Sequence, residues 1–147
     1  MKILYVEPSL CTGCRSCELA CSFIKTKSFS PVYSRIQVAT LLEDALFVPM
    51  VCSQCEDAPC VGVCPTGALY RPESGGVVLM KEERCIGCRM CVVVCPFGSI
   101  AIRGDDKVAS KCDLCGGDPE CVKFCFTGAI SYVDSDTHLL KKRAQLA

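Results

Sequence analysis

CIGCRMCVVVCP, residues 85–96, is the stretch on which the reading of this chain turns. Its first three cysteines, Cys85, Cys88 and Cys91, recur every third residue. A loop with that spacing can wrap one face of a compact inorganic core and bring three thiolates to it. Cys95 closes the set on a short predicted helix over 89–95, and Pro96 then removes a backbone donor and sets the chain direction.

The same frame occurs in three further places. The groups are Cys11, Cys14, Cys17, Cys21; then Cys52, Cys55, Cys60, Cys64; then the quoted set; then Cys112, Cys115, Cys121, Cys125. Each opens with C-x-x-C and closes with C-x-x-x-C, and only the middle gap varies. The repeat runs on in CPTGALY from Cys64, CPFGSIAI from Cys95 and CFTGAISY from Cys125, where a Gly predicts a tight turn into a short strand. LYVEP before Cys11 and GVVLMKEE before Cys85 read as strands. Segments 17–26, 59–64, 89–95 and 119–125 are predicted to make one to three helical turns. The unit is strand, loop, short helix, strand, repeated with insertions. SPVYSRIQVAT (30–40) reads as an inserted strand or extended arm, and PESGG (72–76) as a turn.

Composition says the fold needs staples. Of 147 residues, 16 are cysteine, and the 50% apolar fraction falls to about 39% without them, below globular usage. Trp is absent and Phe numbers six, so hydrophobic burial alone would hold the chain weakly. Formal net charge is zero, which argues against nucleic acid as a partner. Sixteen thiolates around four oxidised cubane cores would carry the loaded protein to about −8. The start, MKILYVEPSL, carries no secretory or twin-Arg signal, and no apolar run reaches membrane-spanning length, so a cytoplasmic protein is expected.

C-x2-C-x2-C-x3-C-P is the ligand spacing of bacterial two-cluster ferredoxins, in which the fourth cysteine ligates the neighbouring [4Fe–4S] cluster. Two other uses of cysteine compete. Disulfides fit an even count in a short chain, but the expected compartment keeps thiols reduced. Zinc wants C-x2-C pairs set well apart, or histidine, and the one histidine is His138 in the tail, expected to be a surface residue. Four cubanes are expected.

Groups two and three read as one unit. Cys52, Cys55 and Cys60 then take Cys95, and Cys85, Cys88 and Cys91 take Cys64. Groups one and four pair outside it: Cys11, Cys14 and Cys17 with Cys125, and Cys112, Cys115 and Cys121 with Cys21. Spacing alone leaves sequential pairing, one with two and three with four, equally open.

From residue 2 to 133 the chain resembles the four-cluster ferredoxin-like subunits of molybdenum and tungsten pterin oxidoreductases, the dimethyl sulfoxide reductase iron–sulfur subunit family. CTGCRSCELAC (11–21) and the unequal middle gaps of groups two and four carry the resemblance. It implies the nested pairing, with the clusters in a line. The implied fold is α+β: two nested ferredoxin-like modules with pseudo-twofold symmetry, an outer one (1–44 plus 104–133), an inner one (45–103) and a tail (134–147). The compact length is closest in style to small subunits serving tungsten aldehyde oxidoreductase and benzoyl-CoA reductase complexes. Phe126 stands where such motifs often place Pro, which makes Cys125 the least secure ligand.

Gly13 and Gly87 are expected to bring backbone N–H groups near a cluster. Arg15, Arg89, Arg84 and Lys111 either raise potentials through their charge or face water and a partner. The tail charges Lys141, Lys142 and Arg143 read as a solvated arm. No Ser–His–Asp set, Walker sequence or dinucleotide fingerprint is present, and no cysteine is left over as a nucleophile, so the chain is not expected to be catalytic alone. The expected role is an electron-transfer subunit between a large pterin-metal catalytic chain and a flavin or ferredoxin partner. A diffusible polyferredoxin, service to a carbon monoxide dehydrogenase or hydrogenase, and a zinc-stapled scaffold are the alternatives. The apolar stretches at Val32–Val38 and 46–51 are the candidate docking surfaces.

Overall fold

A computed structural model describes residues 1–41, 46–102 and 107–136. His138, the basic tail and the expected module boundaries at 44/45 and 103/104 lie outside the described residues.

Each cysteine group is followed by a turn and a strand, and these strands pair only two by two. In chain order the elements are β1 (Lys2–Val6), α1 (Ser16–Thr26), β2 (Gln37–Leu41), β3 (Leu46–Met50), α2 (Pro59–Gly62), β4 (Leu69–Tyr70), β5 (Leu79–Met80), α3 (Met90–Val94), β6 (Ala101–Ile102), β7 (Ala109–Ser110), α4 (Glu120–Lys123) and β8 (Ile130–Asp134). The antiparallel pairs are β1–β8, β2–β3, β4–β5 and β6–β7. Each pair thus joins the strand leaving one cysteine group to the strand entering the next, and β8–β1 closes the circuit, with Val6 opposite Ile130.

The tight turns expected after Cys64, Cys95 and Cys125 are present. Gly67, Gly98 and Gly128 donate to the carbonyls of those cysteines at 3.2, 3.3 and 3.1 Å. The 72–76 turn is closed by Gly75 N–H to Pro72 O at 2.8 Å.

Helix contacts sort the groups. α1, from group one, packs on α4, from group four; α2 packs on α3. Two cores follow. One gathers Leu4, Ile36, Val38, Leu114 and Ile130 with Cys17, Cys21 and Cys121; the other gathers Leu69, Val78, Ile100 and Ala109 with Cys60 and Cys91.

The segment read as an arm is not free. Pro31–Tyr33 forms a 3-10 turn, and Ile36 and Val38 are buried in the first core. The 46–51 run is β3, whose Phe47 packs on that core. Of these docking candidates, Val32 stays exposed. The open apolar surface lies elsewhere: Leu19, Phe23 and Ile24 on α1, with Phe29 stacked on Phe23 at 4.5 Å and Phe124 beside them. Among the described residues no helix is long and apolar enough to cross a membrane.

Candidate metal centres

The binding loops share a backbone device. In every C-x-x-C the second intervening residue is left-handed: Gly13 (φ +71°), Gln54 (+51°), Gly87 (+66°) and Leu114 (+55°). A left-handed residue after an ordinary one gathers successive backbone N–H groups into an anion-binding concavity, and after Leu114 the left-handed run continues through Cys115, Gly116 and Gly117. Only two of the four are glycines, so the motif, rather than glycine, dictates the bend; Gln54 and Leu114 carry no sequence signal for it. At Gly87 space matters as well, since a Cβ would meet Lys107 O at 2.6 Å. Gly67 is equally left-handed (φ +61°) but opens onto empty space. The conformation alone costs an L-residue about 1–2 kcal/mol. Gly87→Ala should therefore lower the guanidinium midpoint of the loaded protein by clearly more than Gly67→Ala, read as anaerobic iron release.

The cysteines close around hollows. Cys64, Cys85, Cys88 and Cys91 line one of about 350 Å³ of empty volume. Cys52, Cys55, Cys60 and Cys95 line a second of the same size. Cys21, Cys112, Cys115 and Cys121 line a third of about 370 Å³, and Cys52 forms the wall it shares with the second. Around the remaining set, Cys11 and Cys125 pack on the core that holds Cys17. Burial pushes the Cys17 thiol up to about 12, with the charges of Glu18, Cys125 and Cys14 adding to it. The three hollows thus bring Cys64 to Cys85, Cys88 and Cys91, Cys95 to Cys52, Cys55 and Cys60, and Cys21 to Cys112, Cys115 and Cys121.

Polar groups reach the sulfurs. Arg35 N–H points to Cys21 Sγ at 3.3 Å and Leu114 N–H to Cys112 Sγ at 3.4 Å. Thr66 and Thr127 hydroxyls lie 3.7 Å from Cys64 and Cys125 Sγ. Phe126, in the place of a proline, is 76% exposed, and the turn after Cys125 is kept without it. Among the described residues no three Cys, His, Asp or Glu converge on a point that a single metal ion would fill.

One ion network fastens the third hollow. Asp113 accepts Lys25 Nζ at 2.7 and 2.9 Å, Arg35 at 3.1 Å and Cys115 N–H at 3.0 Å. Burial works to raise the Asp113 carboxyl, but the Lys25 hydrogen bond and the Lys25 and Arg35 charges outweigh it and hold it below its ordinary value. Lys25 comes from α1, so the network ties group one to group four. Asp113→Ala would leave the mostly buried Lys25 without this carboxylate and Arg35 with Glu82 alone, 3.6 Å away, and should cost about 2 kcal/mol of resistance to guanidinium.

The basic residues that the motif treats alike part company. Arg15 and Arg89 are exposed N-caps, with Arg15 Nη1 3.7 Å from Glu18 Oε2; Arg84 is exposed too. Lys111 is buried, 4% exposed. It stands at the wall of the second hollow, and among the described residues its ammonium donates to neutral oxygens alone. A buried ammonium with only neutral partners fits a neighbouring anion such as a thiolate-bound cluster, and fits poorly beside uncharged disulfides. The donor set and this lone cation suit iron–sulfur clusters.

Comparison with known proteins agrees. The pattern of a 4Fe-4S dicluster domain matches residues 43–135, and that of a 4Fe-4S binding domain matches residues 8–24. An iron-sulfur protein of Rhodospirillum rubrum is 38% identical, over 96% of this chain and 86% of its own length. The polyferredoxin-like subunit of an aliphatic sulfonate oxidoreductase from Pyrococcus furiosus is 43% identical, over 83% of this chain and 70% of its own. The thiosulfate reductase electron transfer subunit of Salmonella typhi is 40% identical, over 88% and 74%. A chain of the active-site complex BamBC of benzoyl coenzyme A reductase superposes with a TM-score of 0.55 at 27% identity, covering 90% of this chain and 75% of that one. This chain is a member of the 4Fe-4S dicluster-domain family of iron–sulfur proteins and carries multiple 4Fe-4S clusters.

Proposed function

We propose that this protein is the electron-transfer subunit of an oxidoreductase complex and holds four [4Fe–4S] clusters in a row. The ligand sets are Cys11, Cys14, Cys17 and Cys125; Cys112, Cys115, Cys121 and Cys21; Cys52, Cys55, Cys60 and Cys95; and Cys85, Cys88, Cys91 and Cys64. The first two belong to an outer module (1–44 plus 104–133), the last two to an inner module (45–103). When bound, the clusters supply one-electron transfer. The chain's part is to hold them at fixed spacing, exclude water between them and leave the two ends reachable.

The observation that carries this reading is the gradient of exposure. Each end set holds one exposed cysteine, Cys14 or Cys88, and one buried one, Cys17 or Cys91, whereas each middle set holds no exposed cysteine and two buried ones, Cys21 and Cys121 in one and Cys52 and Cys60 in the other. An insulated middle with two open ends has the shape of a relay with an entry and an exit. Both ends are also apolar. Phe126 (76%) follows Cys125, and Ile86 (67%) and Met90 (52%) line the same hollow as Cys88. Exposed apolar residues in such groups mark surfaces that partners cover, which favours a subunit over a freely diffusing carrier.

Relatives named as subunits of sulfonate oxidoreductase and thiosulfate reductase, and the likeness to the benzoyl coenzyme A reductase complex, support a large redox chain as partner. The finer assignment is a tungsten- or molybdenum-pterin catalytic chain at one end and a flavoprotein or ferredoxin at the other, in the cytoplasm. Purification from native extract under anaerobic conditions tests it. A brown complex with a stoichiometric large chain, and about sixteen irons per copy of this one, is expected. A monodisperse lone chain would make it a diffusible polyferredoxin, and colourless material would remove the redox role.

A further inference from the structure

Lys111 occupies the junction between the two middle ligand sets. It immediately precedes Cys112 of one and lines the hollow built by Cys52, Cys55, Cys60 and Cys95 of the other. Its ammonium has three donors, and all are used: Gln54 Oε1 at 3.2 Å, Val78 O at 3.0 Å and Cys112 O at 2.9 Å. Gln54 locks the arrangement. Its Nε2 donates to Cys112 O at 2.8 Å, and its Oε1 accepts Val78 N–H at 3.1 Å. Gln54 is 1% exposed and belongs to the binding loop of the second group, so the network spans both cysteine groups. Among the described residues no carboxylate contacts Lys111.

We propose that Lys111 is the shared electrostatic control of the two middle clusters, holding both at higher reduction potentials than they would have without it. This rests on the ligand sets proposed above. The physical reason is the sign of the charge change. Reduction adds one negative charge to a site that is already anionic, and a fixed cation nearby favours the more negative state. Burial strengthens the effect, because water and salt screen a charge held in the interior much less than one at the surface. The reach extends to both sets: Lys111 lines the hollow of Cys52, Cys55, Cys60 and Cys95, and its ammonium donates to the Cys112 carbonyl at 2.9 Å. Among the described residues the end sets show no such buried cation: Arg84, which precedes Cys85 as Lys111 precedes Cys112, is exposed, and so are the loop residues Arg15 and Arg89. A relay whose interior sites are easier to reduce than its ends draws electrons away from either docking surface and holds them where solvent does not reach.

The test is an anaerobic potentiometric titration of the loaded full-length protein, followed by paramagnetic resonance. Lys111→Met removes the charge and keeps the length. The expected result is a negative shift of two of the midpoint potentials, the other two staying in place, with Lys111→Arg restoring the native values. A second neutralising change is Gln54→Glu, which sets a carboxylate against the ammonium and should shift the same two. Unchanged potentials in Lys111→Met, or an equal shift of all, would overturn the proposal. Should both neutralised variants lose iron while Lys111→Arg loads fully, Lys111 would be an assembly residue and the proposal would also fall. A wild-type protein lacking four cluster signals would instead refute the ligand sets, which keeps the two failures apart.

Discussion

Replacing Cys21 by alanine should erase the same cluster signal as replacing Cys112, Cys115 or Cys121, and should leave intact the signal that Cys55→Ala or Cys60→Ala removes. The four closing cysteines decide the wiring, because the two pairings open to sequence send each to a different set. Under nested pairing Cys21 joins group four, Cys125 group one, Cys95 group two and Cys64 group three. Under sequential pairing Cys21 would join group two, and Cys64 group one. The hollows favour the nested arrangement, with Cys64 facing Cys85, Cys88 and Cys91, and Cys95 facing Cys52, Cys55 and Cys60. Cys52 is the position where a misreading could enter, since it also lines the hollow of Cys21. Its partners Cys55, Cys60 and Cys95 do not, so its variant should fall in their class. Each substitution should release about four irons of about sixteen, or convert one centre to a three-iron form, while the other centres keep their potentials. Single-cysteine variants sorted by the resonance signal they lose give the assignment directly. A class joining Cys21 with Cys55 and Cys60 would refute the nested arrangement.

The binding loops, the turns after the closing cysteines and the short strands beside them were legible because ligand spacing is a local property. Three cysteines in seven residues can close around only a small object, and a glycine after the last cysteine turns the chain wherever the motif occurs. What stayed hidden depends on residues far apart in the chain. Ile36 and Val38 alternate with Arg35 and Gln37, a pattern that marks a half-buried strand. The segment was nevertheless open to reading as an arm, because the core that receives it is built from β1, β8 and group four. Lys111 and Arg84 both precede an opening cysteine, and nothing local separates them. Lys111 is buried because Gln54 and Val78, from the second group and the hairpin after it, wrap it. The left-handed Gln54 and Leu114 were invisible for the same reason, since tertiary ligation imposes a conformation that their side chains do not favour. The exposed groove of Phe23, Phe29 and Phe124 likewise needs α1 and α4 side by side.

Stripping the clusters should unfold the chain rather than leave an empty version of it. The elements are too short to stand alone. α2 and α4 have four residues each and α3 five, far below the ~12–15 at which an isolated helix becomes marginal in water. β4–β5 and β6–β7 are two residues long, and an isolated two-stranded pair is marginal at best. The cores cannot compensate. Three of the eight buried residues in one, and two of six in the other, are cysteines, and all of these but Cys17 line hollows. Without a cluster those hollows must collapse or take up water, and the buried Lys111, which no carboxylate contacts among the described residues, loses the anions beside it. Ligation is therefore the larger part of the stability, and its loss exceeds the ~5–15 kcal/mol by which ordinary domains are stable. Anaerobic chelation with excess thiol present, so that disulfides do not form, should abolish both the far-ultraviolet dichroism of the helices and protease resistance. Ferrous iron and sulfide should restore both together with the colour. The loss should also be stepwise by module, because α1 packs on α4 and α2 on α3: a variant lacking Cys88 should loosen residues 46–102 before the β1–β8 pair opens, as read by hydrogen exchange. An iron-free chain that kept its dichroism and melted cooperatively would show that apolar packing alone carries the fold.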